Sequence, residues 1–137
     1  MMRGAKLIKS LDAAGRPIYQ VAISEEHVAK QVLAGLALYP WIKVYRVRER
    51  IPKKTKRGFN CQMSTPGIPD LIGYATGRFE TAVPVFIELK RPGGKHRPAQ
   101  DIFIQNARIM GCIAFFAEGW DDVVRGFAEF GIRVTGN

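Results

Sequence analysis

The 137-residue chain is poor in the side chains that build metal cages and covalent cross-links. It has two cysteines, Cys61 and Cys112, in no CxxC motif, and two histidines, His27 and His96. That excludes a disulfide-stapled mini-protein and argues against a structural zinc site. The start, MMRGAKLIKSLD, has no apolar signal segment. Two lone cysteines in such a chain read as reduced thiols, so the expected location is cytoplasmic: bacterial, or the host cytoplasm if viral. Long apolar runs are missing too. The longest, Val32 to Ile42, has 11 residues and contains Gly35 and Pro40, whereas a membrane span needs about 20; no membrane partner is expected. No GxxxxGK[ST] motif is present, so Gly93-Gly94 is not a phosphate loop and no nucleotide cofactor is expected. Acids are scarce as well: 12 against 21 Lys and Arg, a formal net charge of +9.

What is there suits one folded domain. Apolar residues make up 47% and charged residues 24%, and a chain of this length buries about two-thirds of its unfolded surface. The positive charge is concentrated. Lys43 to Arg57 holds eight basic residues and one acid, a net of +7, and a second cluster is Lys90, Arg91, Lys95 and Arg97. From Pro98 onward the balance is −2. Two basic clusters flanking one candidate site point to a polyanion, foremost nucleic acid phosphate, against the plainer reading of a solvated loop. The residues expected to grip it are Arg46, Arg48, Arg50, Lys53, Lys54, Lys56, Arg57, Arg91, Lys95 and Arg97.

Short strands are expected at 6–11 and 18–23, joined by turn residues 12–17 into a hairpin. Ser24 is a good N-cap, Glu25 and Glu26 suit the positive helix end, and Val28, Ala29, Val32, Leu33 and Leu36 recur at helical spacing up to Pro40. A strand follows over 41–47, then a long loop over 51–66, a strand at 71–75 and the clearest strand at 84–90. A helix from Pro98 to Met110 ends at Gly111; 112–117 reads as a buried strand, 120–130 as an amphipathic helix, and 132–134 as a short edge strand. The fold class is α/β: a mixed central sheet flanked by helices, in a single domain over 1–137 with a hairpin extension (1–23) ahead of the core (24–134).

In the strand 84–90, Val85, Ile87 and Leu89 share one face and Phe86, Glu88 and Lys90 the other. Glu88 and Lys90 alone fit a solvated face. Asp70, in the turn Gly67-Ile68-Pro69-Asp70, changes the weighing, because pairing of its strand with 84–90 brings it near Glu88. Two close carboxylates repel unless a cation joins them, and Mg²⁺ takes hard oxygen ligands while keeping waters. Lys90 can then orient an attacking water or stabilise phosphate charge. His96 is a minor phosphate candidate and His27 a surface residue. Trp41, Tyr45, Phe59 and Tyr74 read as core or edge packing, with base stacking the rival.

Pro69-Asp70 followed by Glu88-Leu89-Lys90 resembles the PD-(D/E)xK nuclease signature. With Gly67-Ile68-Pro69-Asp70-Leu71, the run Phe86 to Gly94 and Pro98-Ala99-Gln100, the chain resembles the VRR-NUC family over about 24–127. No literal valine-arginine-arginine run is present. The resemblance implies a restriction-endonuclease-like core and a Mg²⁺- or Mn²⁺-dependent deoxyribonuclease with its active site on one sheet edge. Asp70 and Glu88 would be metal ligands with the Leu89 carbonyl, and Lys90 the catalytic lysine. Gln100 matches the family's glutamine on the following helix, and shares a helical face with Phe103, Ile104 and Ala107. The family's first-helix acid, catalytic and metal-ligating, falls on Glu25 or Glu26; Glu25 is preferred because it shares the stripe of Val28 and Val32. Structure-specific cleavage of branched, flap or junction DNA by a homodimer is implied. The alternatives are a non-catalytic nucleic-acid-binding module on the same fold and a sequence-specific restriction-type endonuclease.

Overall fold

The computed structural model describes residues 6–47, 67–77 and 81–135. The elements run β1 (Lys6–Leu11), β2 (Pro17–Ala22), α1 (Glu25–Leu36), β3 (Ile42–Arg46), β4 (Leu71–Thr76), β5 (Ala82–Leu89), α2 (Pro98–Ile109), β6 (Ile113–Ala117) and α3 (Trp120–Glu129). The basic-band residues Arg48, Arg50, Lys53, Lys54, Lys56 and Arg57, the 51–66 loop, Phe59 and Cys61 lie outside the described residues.

β3 to β6 form one mixed sheet in that order. β3–β4 and β4–β5 are antiparallel; β5–β6 is parallel, as the crossover through α2 requires. Val85, Ile87 and Leu89 point to one side and are fully buried with Leu71, Ala75, Ile113, Phe115 and Ala117. α1 and α3 close that side with Val28, Val32, Leu36, Val123 and Phe127. Each large side chain buried here contributes about 1.5–3 kcal/mol. The other face carries Phe86, Ala114 and Phe116, covered by Phe103, Ile104 and Ala107 of α2. This layered α/β arrangement answers the two-sided burial legible in β5 and β6. No described hairpin residue of β1–β2 joins either core cluster.

Close packing explains several glycines. A methyl at Gly73 would run into the Lys43 backbone carbonyl across the β3–β4 ladder, and one at Gly126 into the Phe115 ring. α1 starts at Ser24, whose side chain accepts the His27 N–H, so His27 is part of a cap. The segment 132–134 is not the expected edge strand. Its Ile132 and Val134 side chains are buried, and Ile132 N–H returns to the Phe127 carbonyl. Beyond it, Thr135 bonds Tyr39 and Trp120 side chains. A terminal segment can thus satisfy its backbone without joining the sheet.

Candidate active site

The β4–β5 register pairs Leu71 with Ile87, so continuing it by one residue sets Asp70 opposite Glu88. Both lie on the α2-facing side of the sheet, at the carboxyl end of β5, where open α/β sheets bind ligands. The site is therefore at the end of two central strands, and the expectation of a sheet edge is corrected: β3 and β6 are the edges.

Local geometry fixes each group. Gly67 has φ +86°, and a side chain there would strike the Ala99 carbonyl in the first turn of α2. The Gly67-Ile68-Pro69 turn thus lies against α2 and delivers Asp70 to the head of β4, with Pro69 fully buried. The Leu89 N–H donates to Asp70 Oδ2 at 2.9 Å. Lys90 follows β5, and its N–H donates to the Ala117 carbonyl at 2.9 Å. Both Glu88 and Lys90 are buried, at 3% and 7% exposure.

Gln100 joins them. Its Nε2 donates to Glu88 Oε1 at 2.7 Å, while its Oε1 accepts from Lys90 Nζ at 2.6 Å and from the Arg97 N–H at 3.0 Å. The last bond is half of a capping box at the start of α2. Lys90 Nζ is 3.8 Å from Glu88 Oε1. Asp70, Glu88, Lys90 and Gln100 are thereby brought together. The cap function of Gln100 was not anticipated; a glutamine three residues after the N-cap position, just behind Pro98, was the available signal.

Glu88 Oε2 is buried and finds no hydrogen-bond donor among the described residues. Burial, first, and then the neighbouring Asp70 carboxylate push the Glu88 carboxyl up to about 8, against a smaller opposing pull from Lys90. A buried oxygen without a partner, with a second carboxylate nearby, could hold a cation. The donor set is hard oxygen, and Mg²⁺ is commonly held by one or two carboxylates with water completing its shell. Among the described residues no three His, Cys, Asp or Glu side chains cluster as a metal cage.

Glu25 is exposed at the first position of α1. Its charge reaches Glu88 and Arg46, but it forms no three-acid cluster with Asp70 and Glu88. Glu26 makes a two-pronged pair with Arg46, at 3.0 and 2.6 Å. Arg46 is therefore paired with a carboxylate of α1. Arg91, Lys95 and Arg97 are exposed around the Lys90–Gln100 connection. His96 stacks on Phe116, with ring centroids 3.9 Å apart. A surface groove of about 820 Å³ lies between α1 and α3 and holds none of the four site groups.

Comparisons with family models, with curated proteins and with solved structures give no match. The functional reading accordingly rests on the geometry and on the motif.

Proposed function

We propose that the chain is a divalent-metal-dependent nuclease of restriction-endonuclease-like architecture, hydrolysing phosphodiester bonds in DNA. The observation that carries the reading is the facing carboxylate pair Asp70–Glu88, with one oxygen buried and unsatisfied and a lysine held beside it through Gln100. With both acids ionised the pair is a net cost, because burial and mutual repulsion disfavour the charged form of Glu88, and a bound cation would offset that cost.

Asp70, Glu88 and the Leu89 carbonyl would hold Mg²⁺ or Mn²⁺, and the chemistry such an ion supplies is charge neutralisation at the phosphate and acidification of water. The chain's own groups do the rest. The Leu89 N–H fixes Asp70. Gln100 presents its carbonyl to Lys90 and its amide to Glu88, so both are held before substrate arrives. Lys90 then orients the attacking water or donates to a phosphate oxygen as negative charge develops. Arg91, Lys95 and Arg97 supply backbone grip on the α2 side. Glu25, exposed beyond the site, adds negative potential that favours cation entry. Branched or flapped DNA as substrate, and a homodimer presenting two sites, belong to this same reading.

The test is cleavage of labelled single-stranded, duplex, flap and four-way-junction DNA with Mg²⁺ or Mn²⁺, with Asp70→Ala and Lys90→Ala alongside. Loss of cutting in both variants and in EDTA is expected. Salt-sensitive binding without cutting on every substrate would instead identify a binding module, and cutting that survives both substitutions would remove this site from consideration.

A further inference from the structure

α2 packs on β5 and β6, and no described helix covers the same face over β3 and β4. The register assigns Ile72 and Tyr74 of β4, Lys43 and Tyr45 of β3, and Phe86 of β5 to that one face, and its continuation by one residue adds Asp70 and Glu88. The carboxylate pair is therefore continuous with the part of that face which no described helix covers. Tyr45 and Tyr74 are 59% and 50% exposed. Their ring centroids are 6.4 Å apart at 50°, and their hydroxyls approach to 3.5 Å. Lys43 is exposed and directly opposite Tyr74.

Two exposed aromatic rings lying side by side form a surface patch, and such patches mark interaction sites. The face offers π surfaces with a cation alongside, which is the combination that binds unpaired nucleotides: bases stack on the rings and phosphates meet the lysine. A duplex keeps its base faces inside the stack and gains little from such a shelf. The four residue steps from Asp70 to Tyr74 span about 13 Å, the axial length of about four stacked nucleotides.

Resting on the nuclease reading, we infer that Tyr45 and Tyr74 form a stacking platform for an unpaired stretch of the substrate strand, so that the phosphate cut is one beside a single-stranded segment. Lys43 holds the backbone of that segment. The shelf is a specificity device; it takes no part in bond breaking.

The experiment measures affinity by fluorescence anisotropy in EDTA, where no cleavage occurs, using a short labelled oligothymidylate and a blunt duplex of the same length. Stacking on an aromatic ring is worth about 1–3 kcal/mol per base. Tyr45→Ala and Tyr74→Ala are each expected to weaken oligothymidylate binding about tenfold and to leave duplex binding within about twofold. Tyr45→Phe and Tyr74→Phe, which keep the ring, are expected to bind like the wild type, and Tyr19→Ala, an exposed tyrosine on the hairpin, likewise. Equal losses for single-stranded and duplex DNA, no loss in the alanine variants, or equal damage from Phe and Ala would overturn the platform. So would dissociation of an oligomer by the alanine variants, which would assign the face to a second copy of the chain. Because binding is read without metal, failure of the platform is distinguished from failure of the nuclease reading, which shows as absent cutting in the Mg²⁺ assay.

Discussion

At the scale of single residues, Glu88 is the most informative group. Its carboxyl is raised to about 8 by burial and by Asp70, whereas the unfolded chain holds it near the ordinary value. The folded protein therefore binds the extra proton between about pH 4.5 and pH 8, and its metal-free stability falls as pH rises through that window. Thermal melts in EDTA are expected to show a falling Tm from about pH 5 to pH 8, and Glu88→Gln to flatten the profile and melt higher at the alkaline end. Millimolar Mg²⁺ is expected to recover the wild-type loss and to do nothing for Glu88→Gln; an ion at about 100 times its Kd adds about 2.7 kcal/mol. Gln100 makes a different kind of prediction. Gln100→Glu keeps acceptors for Lys90 and the Arg97 N–H but loses the donor to Glu88. Nuclease kcat is expected to drop about 10²-fold or more, and a variant that cuts as the wild type does would make Gln100 a helix cap only.

At the scale of elements, Gly67 and Gly73 hold the site's frame. Gly67→Ala faces a left-handed backbone and a collision with Ala99, a combination costing about 2 kcal/mol or more. It is expected to lower Tm by several degrees and to reduce cleavage by pulling Asp70 off register, measured by melting and by single-turnover cutting. The elements themselves were largely legible: the period-2 pattern of 84–90, the period-3.6 stripes of α1 to α3 and the capping Ser24 are local signals. The Asp70–Glu88 pairing was legible because one strand register suffices to bring them together. The Gln100 bridge was only partly so, since its partners come from a different element. The backbone route of 132–135 was hidden because Tyr39 and Trp120, distant in sequence, accept or donate the bonds a strand would have used. The pairing of Arg46 with Glu26 was not legible, because it is set by α1 packing and not by the charge run around Arg46.

At the scale of the whole molecule, charge and topology divide the labour. On the nuclease reading, a net charge of +9 is expected to make DNA affinity fall steeply with salt, by about 10³ or more between about 50 and 200 mM if six or more phosphates are contacted. Lys95→Ala and Arg97→Ala are each expected to lower the slope of log affinity against log salt by about one, without changing preference among substrates; a changed preference would place them at bases. The exposure of Tyr45 and Tyr74 was legible only from the assembled fold, because which half of the sheet α2 covers is decided by the β5–β6 crossover. That crossover has another consequence. Glu88, Lys90 and Gln100 belong to one contiguous β5–α2 stretch, and Asp70 alone comes from upstream of the β4–β5 connection. A gene split between Gly77 and Thr81 would therefore encode two inert halves, one contributing a single carboxylate and the other the remaining machinery, and any cutting after mixing them would report their reassembly.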